Sequence, residues 1–124
     1  MVRWHGYVYI LATILLTVFG QLTLKWRIRS FGPMPDQFIG KFSYFSGLLL
    51  DPVILSGFAA AFLASITWMA AMTRFELSYA YPFMSLNFVL VLLLSTTLFG
   101  EPVTAAKLAG CALIVVGTFV AARG

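Results

Sequence analysis

The amino-acid sequence predicts an all-α membrane protein that crosses the bilayer four times, and composition, run length and the pattern of the runs support this prediction. The chain is 61% hydrophobic and only 10% charged, with a mean hydropathy of +0.97, whereas a soluble domain carries about a quarter charged residues. A helix rises about 1.5 Å per residue, so about 20 apolar residues cross a hydrocarbon core about 30 Å thick. The apolar runs are continuous, which excludes the alternating pattern of a β-barrel.

Four stretches reach this length within a single predicted transmembrane domain, residues 1–124. The predicted helices cover about residues 4–27, 52–74, 77–99 and 102–122. Residues 4–24, 52–73 and 77–100 contain no Asp, Glu, Lys or Arg. The fourth stretch contains only Lys107, close enough to its start to extend toward the headgroups.

Local chemistry predicts where these helices begin and end. Asp51-Pro52 and Glu101-Pro102 each place an acidic residue near an N-cap and proline at the first helical position, where its missing N–H costs nothing. Gly100 is typical of a helix C-terminus. The short connections at 74–76 and 99–101 predict two antiparallel helical hairpins.

The segment 29–50 is the only long connection. It opens as an irregular loop, and then apolar residues recur at helical spacing: Phe38, Ile39, Phe42, Phe45, Leu48 and Leu49. This pattern fits a short amphipathic helix in the interface or an early start of the second span. It could act as a lid over a headgroup site, or be a loop that its aromatic residues hold near the membrane.

Polar residues inside the first span form one face. Thr17, Gln21 and Lys25 are spaced i, i+4 and i+8. Lys25 taken alone could be an interfacial anchor. The primary amide of Gln21, by contrast, needs hydrogen-bond partners in hydrocarbon. Together the three predict a polar track from mid-membrane to the interface.

The third span carries a second polar group: Tyr81, Pro82, Ser85 and Asn87. Pro82 removes one backbone hydrogen bond, and loosened backbone at membrane depth is tolerated where it lines a cavity. These residues are therefore candidates for a cavity lining. Asn87 could instead bond across a helix interface.

Gly110 and Gly117 form a stripe of small residues on the fourth span and predict a close helix contact, hence a dimer. The net charge of +4 is explained by basic residues near helix ends, without nucleic acid. The positive-inside rule places the 25–50 loop in the cytoplasm.

No span contains Asp or Glu, which argues against direct proton coupling. The sequence contains no metal-ligand cluster, Gly-rich phosphate loop or nucleophile–base set. We therefore expect neither catalytic residues nor a metal or cofactor, and no enzyme activity.

Three runs carry a resemblance to a known family: residues 80–89 (AYPFMSLNFV), 100–103 (GEPV) and 110–117 (GCALIVVG). The sequence resembles the drug/metabolite transporter superfamily, and within it the small four-helix 4-amino-4-deoxy-L-arabinose-phosphoundecaprenol flippase subunits. Gly20-Gln21-Leu22 with Lys25 matches that group as well. The related small multidrug-resistance pumps use a glutamate in mid helix 1, and Thr17 stands at its position here.

The resemblance implies a transporter that flips a polyprenyl-phosphate-linked sugar, or a related anionic lipid, across a bacterial inner membrane. Lys25, with Arg27 or Arg29, would contact the phosphate. Hydrogen bonds to the sugar would come from Gln21, Thr17, Tyr81, Ser85 and Asn87. The partner would be a second copy or a related small subunit. Two alternatives remain: a multidrug or organic-cation exporter, and a non-transporting subunit of a membrane glycosyltransferase complex.

Overall fold

The computed structural model describes the backbone of residues 2–124 and the side chains of residues 5–124. All the regular secondary structure in this part of the chain is helical, with no strand. In chain order the helices are α1 (Val2–Phe31), α2 (Phe38–Leu50), α3 (Pro52–Met72), α4 (Leu77–Met84), α5 (Leu86–Phe99) and α6 (Ala105–Arg123). Four stretches are long and apolar enough to cross a membrane: His5–Phe31, Pro52–Met72, Leu77–Phe99 and Ala105–Arg123.

The helices α1 and α3 form the most extensive contact in the molecule. They approach closely at Gly20 and Gly57, where a Cβ added to Gly20 would lie 3.1 Å from the Gly57 carbonyl oxygen. Toward the other end of α1, an apolar core forms around Ile10, Ile14 and Val18. A pair of helices without bulky side chains at the crossing can pack backbone to backbone, which compensates for the lack of a hydrophobic driving force in lipid.

The third span is two helices rather than one. It breaks at Ser85, where the Ser85 N–H bonds to the Pro82 carbonyl at 3.0 Å and the Phe88 N–H bonds to the Ser85 carbonyl at 3.1 Å. These bonds span three residues instead of four, as in a tightened helical turn. The Thr118 hydroxyl of α6 donates to the Pro82 carbonyl at 3.2 Å, which ties α6 to the break.

One predicted helix start is confirmed and the other is wrong. Asp51 caps α3 and accepts hydrogen bonds from the N–H groups of Val53 and Ile54, with Pro52 at the first helical position. Glu101-Pro102 does not begin the fourth span. That span begins at Ala105, because the Thr104 side chain caps it by accepting from the Lys107 N–H, and threonine is a better capping residue than glutamate.

One other predicted boundary shifts: the first helix continues through Phe31, one turn beyond the predicted residue 27. The segment before the second span is a separate helix, α2, as the first of the two predicted alternatives has it, because Asp51 adopts an extended conformation between α2 and α3. Gly100 has a φ of +68°, in the left-handed region that favours glycine, as its predicted place at a helix C-terminus requires.

The helix α2 contacts the bundle through few groups. Leu48 is buried, and the Tyr44 hydroxyl donates to the Gly32 carbonyl at 2.9 Å. Its apolar face is open, with Phe38 and Ile39 more than 80% exposed. An open apolar face beside four membrane-spanning helices is typical of a helix that lies at the membrane interface.

Candidate functional site: a polar cavity between three spans

A cavity of about 500 Å³ lies between α1, α3 and the break that separates α4 from α5. Five of the seven predicted substrate contacts line it: Thr17, Gln21, Tyr81, Ser85 and Asn87. The other lining residues are Thr13, Gly20, Leu24, Gly57, Ala61, Ala64, Ser65, Trp68 and Met84. The cavity therefore brings together the polar face of the first span and the polar group of the third.

The break at Ser85 explains how the third span contributes. Continuous helix places residues three or four apart on one face, yet Tyr81, Ser85 and Asn87 all line the cavity. The tightened turn between α4 and α5 rotates the residues after it relative to those before it. Pro82, which cannot donate to the carbonyl one turn back, lies immediately before this turn.

The Asn87 amide has unused hydrogen-bonding capacity, whereas the Thr13 and Ser65 hydroxyls of the same lining donate to carbonyls of their own helices. The Asn87 Oδ1 atom is buried and has no hydrogen-bond partner among the described residues. By contrast, the Thr96, Thr97 and Thr118 hydroxyls of the same bundle donate to carbonyls one turn back in their own helices. A buried amide oxygen without a partner costs about 1–3 kcal/mol, so its retention points to a ligand that donates to it.

Electrically, the cavity is neutral. Its lining contains hydroxyls, amides, aromatic rings and aliphatic groups, and no ionisable acid or base other than the Tyr81 phenol. Trp68 and Tyr81 pack edge to face with ring centroids 5.9 Å apart. Such a lining suits a neutral ligand rich in hydroxyl groups, with an apolar face that packs against an aromatic ring.

Lys25 lies one turn beyond Gln21 on α1, outside the cavity lining. Its ammonium group is 3.9 Å from a Glu101 carboxylate oxygen, and both side chains are well exposed. An ion pair of this length and exposure contributes little stability. Lys25 can therefore exchange Glu101 for another anion at the end of the polar face.

Arg27, the remaining predicted substrate contact, is already occupied. Its Nε lies 3.0 Å from both carboxylate oxygens of Asp51, and a terminal nitrogen lies 2.9 Å from one of them. The hydrogen bond from Arg27 holds the pKa of the buried Asp51 carboxyl below its ordinary value, although burial alone would raise it. This bidentate pair joins the end of α1 to the start of α3. The predicted contact of Arg27 with substrate stays a prediction.

Sequence reasoning missed the contribution of the second span. Ser65 and Trp68 line the cavity from α3, and Gly57 forms part of its wall. The Thr67 hydroxyl lies 2.7 Å from the Thr13 hydroxyl and so links α3 to α1 beside them. The signal was present, because Ser65, Thr67 and Trp68 are polar or amphipathic residues in an apolar span, but nothing in the sequence alone says which face of α3 meets α1.

The predicted dimer stripe lies elsewhere, on α6. A Cβ added to Gly110 or Gly117 would meet no atom within 4 Å among the described residues. Neither glycine packs against another helix in the part of the chain that the structure describes. The stripe is open, which leaves its predicted role as a subunit contact as a prediction.

Comparison with known proteins reveals similar sequences that cover nearly the whole chain. The chain is 32% identical over 120 residues to a probable 4-amino-4-deoxy-L-arabinose-phosphoundecaprenol flippase subunit ArnF of Pseudomonas fluorescens, covering 94% of this chain and 87% of that protein. It is 38% identical over 112 residues to a probable ArnE subunit of the same flippase from Serratia proteamaculans, covering 90% of each. A probable ArnE subunit of Pseudomonas aeruginosa is 32% identical over 119 residues.

Neither a family model nor a solved structure matches the chain. The similarity to the ArnF and ArnE proteins spans all four apolar helices, since it covers 90% or more of the chain in the three cases above. The chain is a multi-pass membrane protein and belongs to the family of 4-amino-4-deoxy-L-arabinose-phosphoundecaprenol flippase subunits.

Proposed function

We propose that this protein is a subunit of a flippase that moves a polyprenyl-phosphate-linked sugar across the bacterial inner membrane. The observation that carries the proposal is the neutral cavity at membrane depth, in which the buried Oδ1 of Asn87 has no partner among the described residues. Relatives that are named as flippase subunits for a lipid-linked amino sugar support the same conclusion.

The sugar occupies the cavity in this proposal. Gln21 and Asn87 line the cavity from different helices and bind the hydroxyl groups of the sugar. Gln21 has no side-chain hydrogen bond to a described residue, and the Oδ1 of Asn87 is likewise unpaired. Each such bond replaces one that the sugar made to water, so the headgroup enters the membrane without losing its hydrogen bonds. The polyprenyl tail stays in the bilayer and needs no polar path.

Lys25 contacts the phosphate at the mouth of the polar face. The weak pairing with Glu101 at 3.9 Å leaves its ammonium group exchangeable. Arg29 lies one turn further along α1, where its guanidinium stacks on the Phe99 ring at 5.3 Å. A phosphate near both residues would gain two charge-assisted contacts at the interface, where they are stronger than in water.

Transport in this proposal is not directly coupled to protons. Asp36, Asp51, Glu76 and Glu101 all lie outside the four spans. A carrier that exchanges substrate for protons needs an ionisable group in the translocation path. Consumption of the lipid at the far side would therefore drive net movement.

A second subunit completes the path. One copy offers a cavity between three of its spans, whereas a headgroup must cross the full bilayer. The relatives include both ArnE and ArnF subunits, so we propose a partner that is a related small subunit or a second copy of this chain.

Translocation of a tagged polyprenyl-phosphate sugar in proteoliposomes tests the proposal. The proteoliposomes contain the chain alone or the complex that co-purifies with it. We expect Gln21→Ala and Lys25→Ala each to slow movement about tenfold, the effect of losing about 1.4 kcal/mol of contact. Gln37→Ala is the matched control, because Gln37 is exposed at the start of α2 and its side chain caps nothing.

Full translocation by both variants would overturn the site. Uptake of an organic cation driven by a pH gradient, with no lipid movement, would place the protein among multidrug exporters. Co-purification with a glycosyltransferase without any movement of lipid would make it an accessory subunit.

A further inference from the structure

A second, basic pocket of about 420 Å³ lies at the opposite end of the bundle from Lys25. It is formed by the first turns of α1, the turn between α3 and α4, and the last turn of α6. Its two arginines, Arg74 and Arg123, outnumber its one acidic side chain, Glu76. The hydroxyls of Tyr7 and Tyr79, 2.6 Å apart, also line it.

Both arginines of this pocket are available. Within the side chains that the structure describes, neither Arg74 nor Arg123 forms an ion pair or a side-chain hydrogen bond. At the other end of the bundle, Arg27 is bound to Asp51, Lys25 lies beside Glu101, and Arg29 stacks on the Phe99 ring. A guanidinium fork matches the oxygens of a phosphate, which makes two free arginines in one pocket an anion site.

An apolar groove adjoins the basic pocket. It has a volume of about 310 Å³, lies between the third span and α6, and shares Tyr7, Tyr79 and Ala122 with the pocket. Phe83 and Phe119 are among its other lining residues. The one hydroxyl in its lining besides those of the tyrosines, that of Thr118, is bonded to carbonyls of α4 and α6. Arginines at one end and hydrocarbon along the rest fit a ligand with an anionic head and an apolar chain.

Building on the proposed function, we propose that Arg74 and Arg123 bind the phosphate of a polyprenyl-phosphate lipid at the membrane face opposite to Lys25. The first isoprene units lie in the groove between α4 and α6. A phosphate that leaves Lys25 and crosses the membrane needs a cationic site where it emerges. Among the described side chains, Arg74 and Arg123 are the unpaired arginines at that end. A free phosphate would use the arginines alone, so the groove assigns the site to a lipid.

Site-specific protection from labelling tests this assignment. Cys111 is the only cysteine in the sequence, so a Cys111→Ala background allows Ser78→Cys to report on the pocket that Ser78 lines. In nanodiscs, we expect undecaprenyl phosphate to slow modification of this cysteine by a membrane-impermeant maleimide. Ser43→Cys on α2, at the other end of the bundle, is the control reporter and should be unaffected.

Two sets of variants give the expected result its specificity. With Arg74→Gln and Arg123→Gln combined, the lipid concentration needed for protection should rise about tenfold or more. Phe119→Ser should weaken protection by undecaprenyl phosphate and leave the weaker protection by inorganic phosphate unchanged. Lys107→Gln removes one cation at the far end of the bundle and should leave protection by either ligand unchanged.

Equal protection in the double arginine variant would overturn the inference. Inorganic phosphate that protects at the same concentration as the lipid would also overturn it, since the groove would then contribute nothing. Protection that depends on subunit concentration and not on lipid would assign the groove to a partner subunit. A wild-type protein that translocates lipid and shows no protection refutes this inference alone, whereas absence of translocation refutes the proposed function.

Discussion

Asn87 shows how a single side chain can separate function from stability. Its amide oxygen is buried and has no partner among the described residues, so the folded protein bears a cost that an apolar side chain would avoid. Asn87→Leu has nearly the same volume. We expect it to leave the melting temperature in detergent unchanged or raise it, and to slow translocation of the tagged lipid about tenfold or more.

Thr96→Val is the control for Asn87→Leu. Thr96 lies on the same helix, α5, and its hydroxyl donates to the Leu92 carbonyl instead of facing the cavity. The Thr96→Val substitution should therefore leave translocation unchanged. If Asn87→Leu lowered stability and left transport intact, the amide would be a helix–helix contact, the alternative that its sequence position also allows.

The polar residues of the cavity could be predicted from the sequence to the extent that each helix is considered alone. Thr17 and Gln21 share a face by their spacing, and Ser85 and Asn87 stand out in an apolar span. Their meeting in one cavity depends on packing between helices, which spacing does not encode. Arg27 illustrates the same limit, because its partner Asp51 is 24 residues away and its cationic character alone suggested a phosphate.

Among the helices, the four spans could be predicted from the lengths of the apolar runs. The ends of the helices could be predicted where the sequence offers only one good capping residue. Asp51 has no competitor, so α3 begins where the sequence predicts. Glu101 competes with Thr104 three residues later, and the shorter hydroxyl side chain forms the cap. The break at Ser85 could be predicted only in part, since Pro82 weakens a helix but does not determine at which residue the helix is interrupted.

The pair of Arg27 with Asp51 joins the end of α1 to the junction between α2 and α3. Because the folded-state pKa of Asp51 is lowered, the pair stabilises the protein above the ordinary pKa of an aspartate, about 3.8, and this contribution is lost as the pH falls through the folded-state value. Asp51→Asn removes the charge and keeps a good capping side chain. We expect this substitution to lower the melting temperature at pH 7. We also expect it to reduce the difference in melting temperature between pH 7 and pH values near the lowered pKa.

Asp36→Asn is the matched control for this pH dependence. Asp36 is exposed in the loop before α2, and no ion pair to another described residue involves it. Its substitution should leave both the melting temperature and its pH dependence unchanged. A wild-type profile that Asp51→Asn does not alter would show that the pair contributes nothing to stability.

In the whole molecule, the four spans differ in how much of their surface is buried within the chain. In the most apolar part of each span, 28% of the residues of α1 are buried inside the chain but only 6% of those of α6. The helix α6 contacts the rest of the protein mainly through α4 and α5. Lipid can cover such a surface, but lipid gives no reason for glycines, which expose backbone and weaken a helix by about 1 kcal/mol each relative to alanine.

The stripe on α6 therefore predicts where a second subunit packs. Because no described atom lies within 4 Å of a Cβ at Gly110 or Gly117, Gly110→Leu with Gly117→Leu should leave the subunit folded and strengthen α6 as a helix. The same leucines would hold a partner helix away, so we expect the proposed dimer to dissociate to monomers in detergent and translocation to be lost. Cross-linking and light scattering measure the first effect.

Gly47→Leu on α2 provides the matched glycine-to-leucine control, because its Cβ would meet only the Phe31 ring at an ordinary 3.6 Å. It should keep both the dimer and transport. A Gly110→Leu, Gly117→Leu protein that remains dimeric would remove the stripe from the subunit contact. Since a Cβ at either position meets no described neighbour within 4 Å and leucine improves helix propensity, loss of the dimer with an unchanged melting temperature would place the contact on α6.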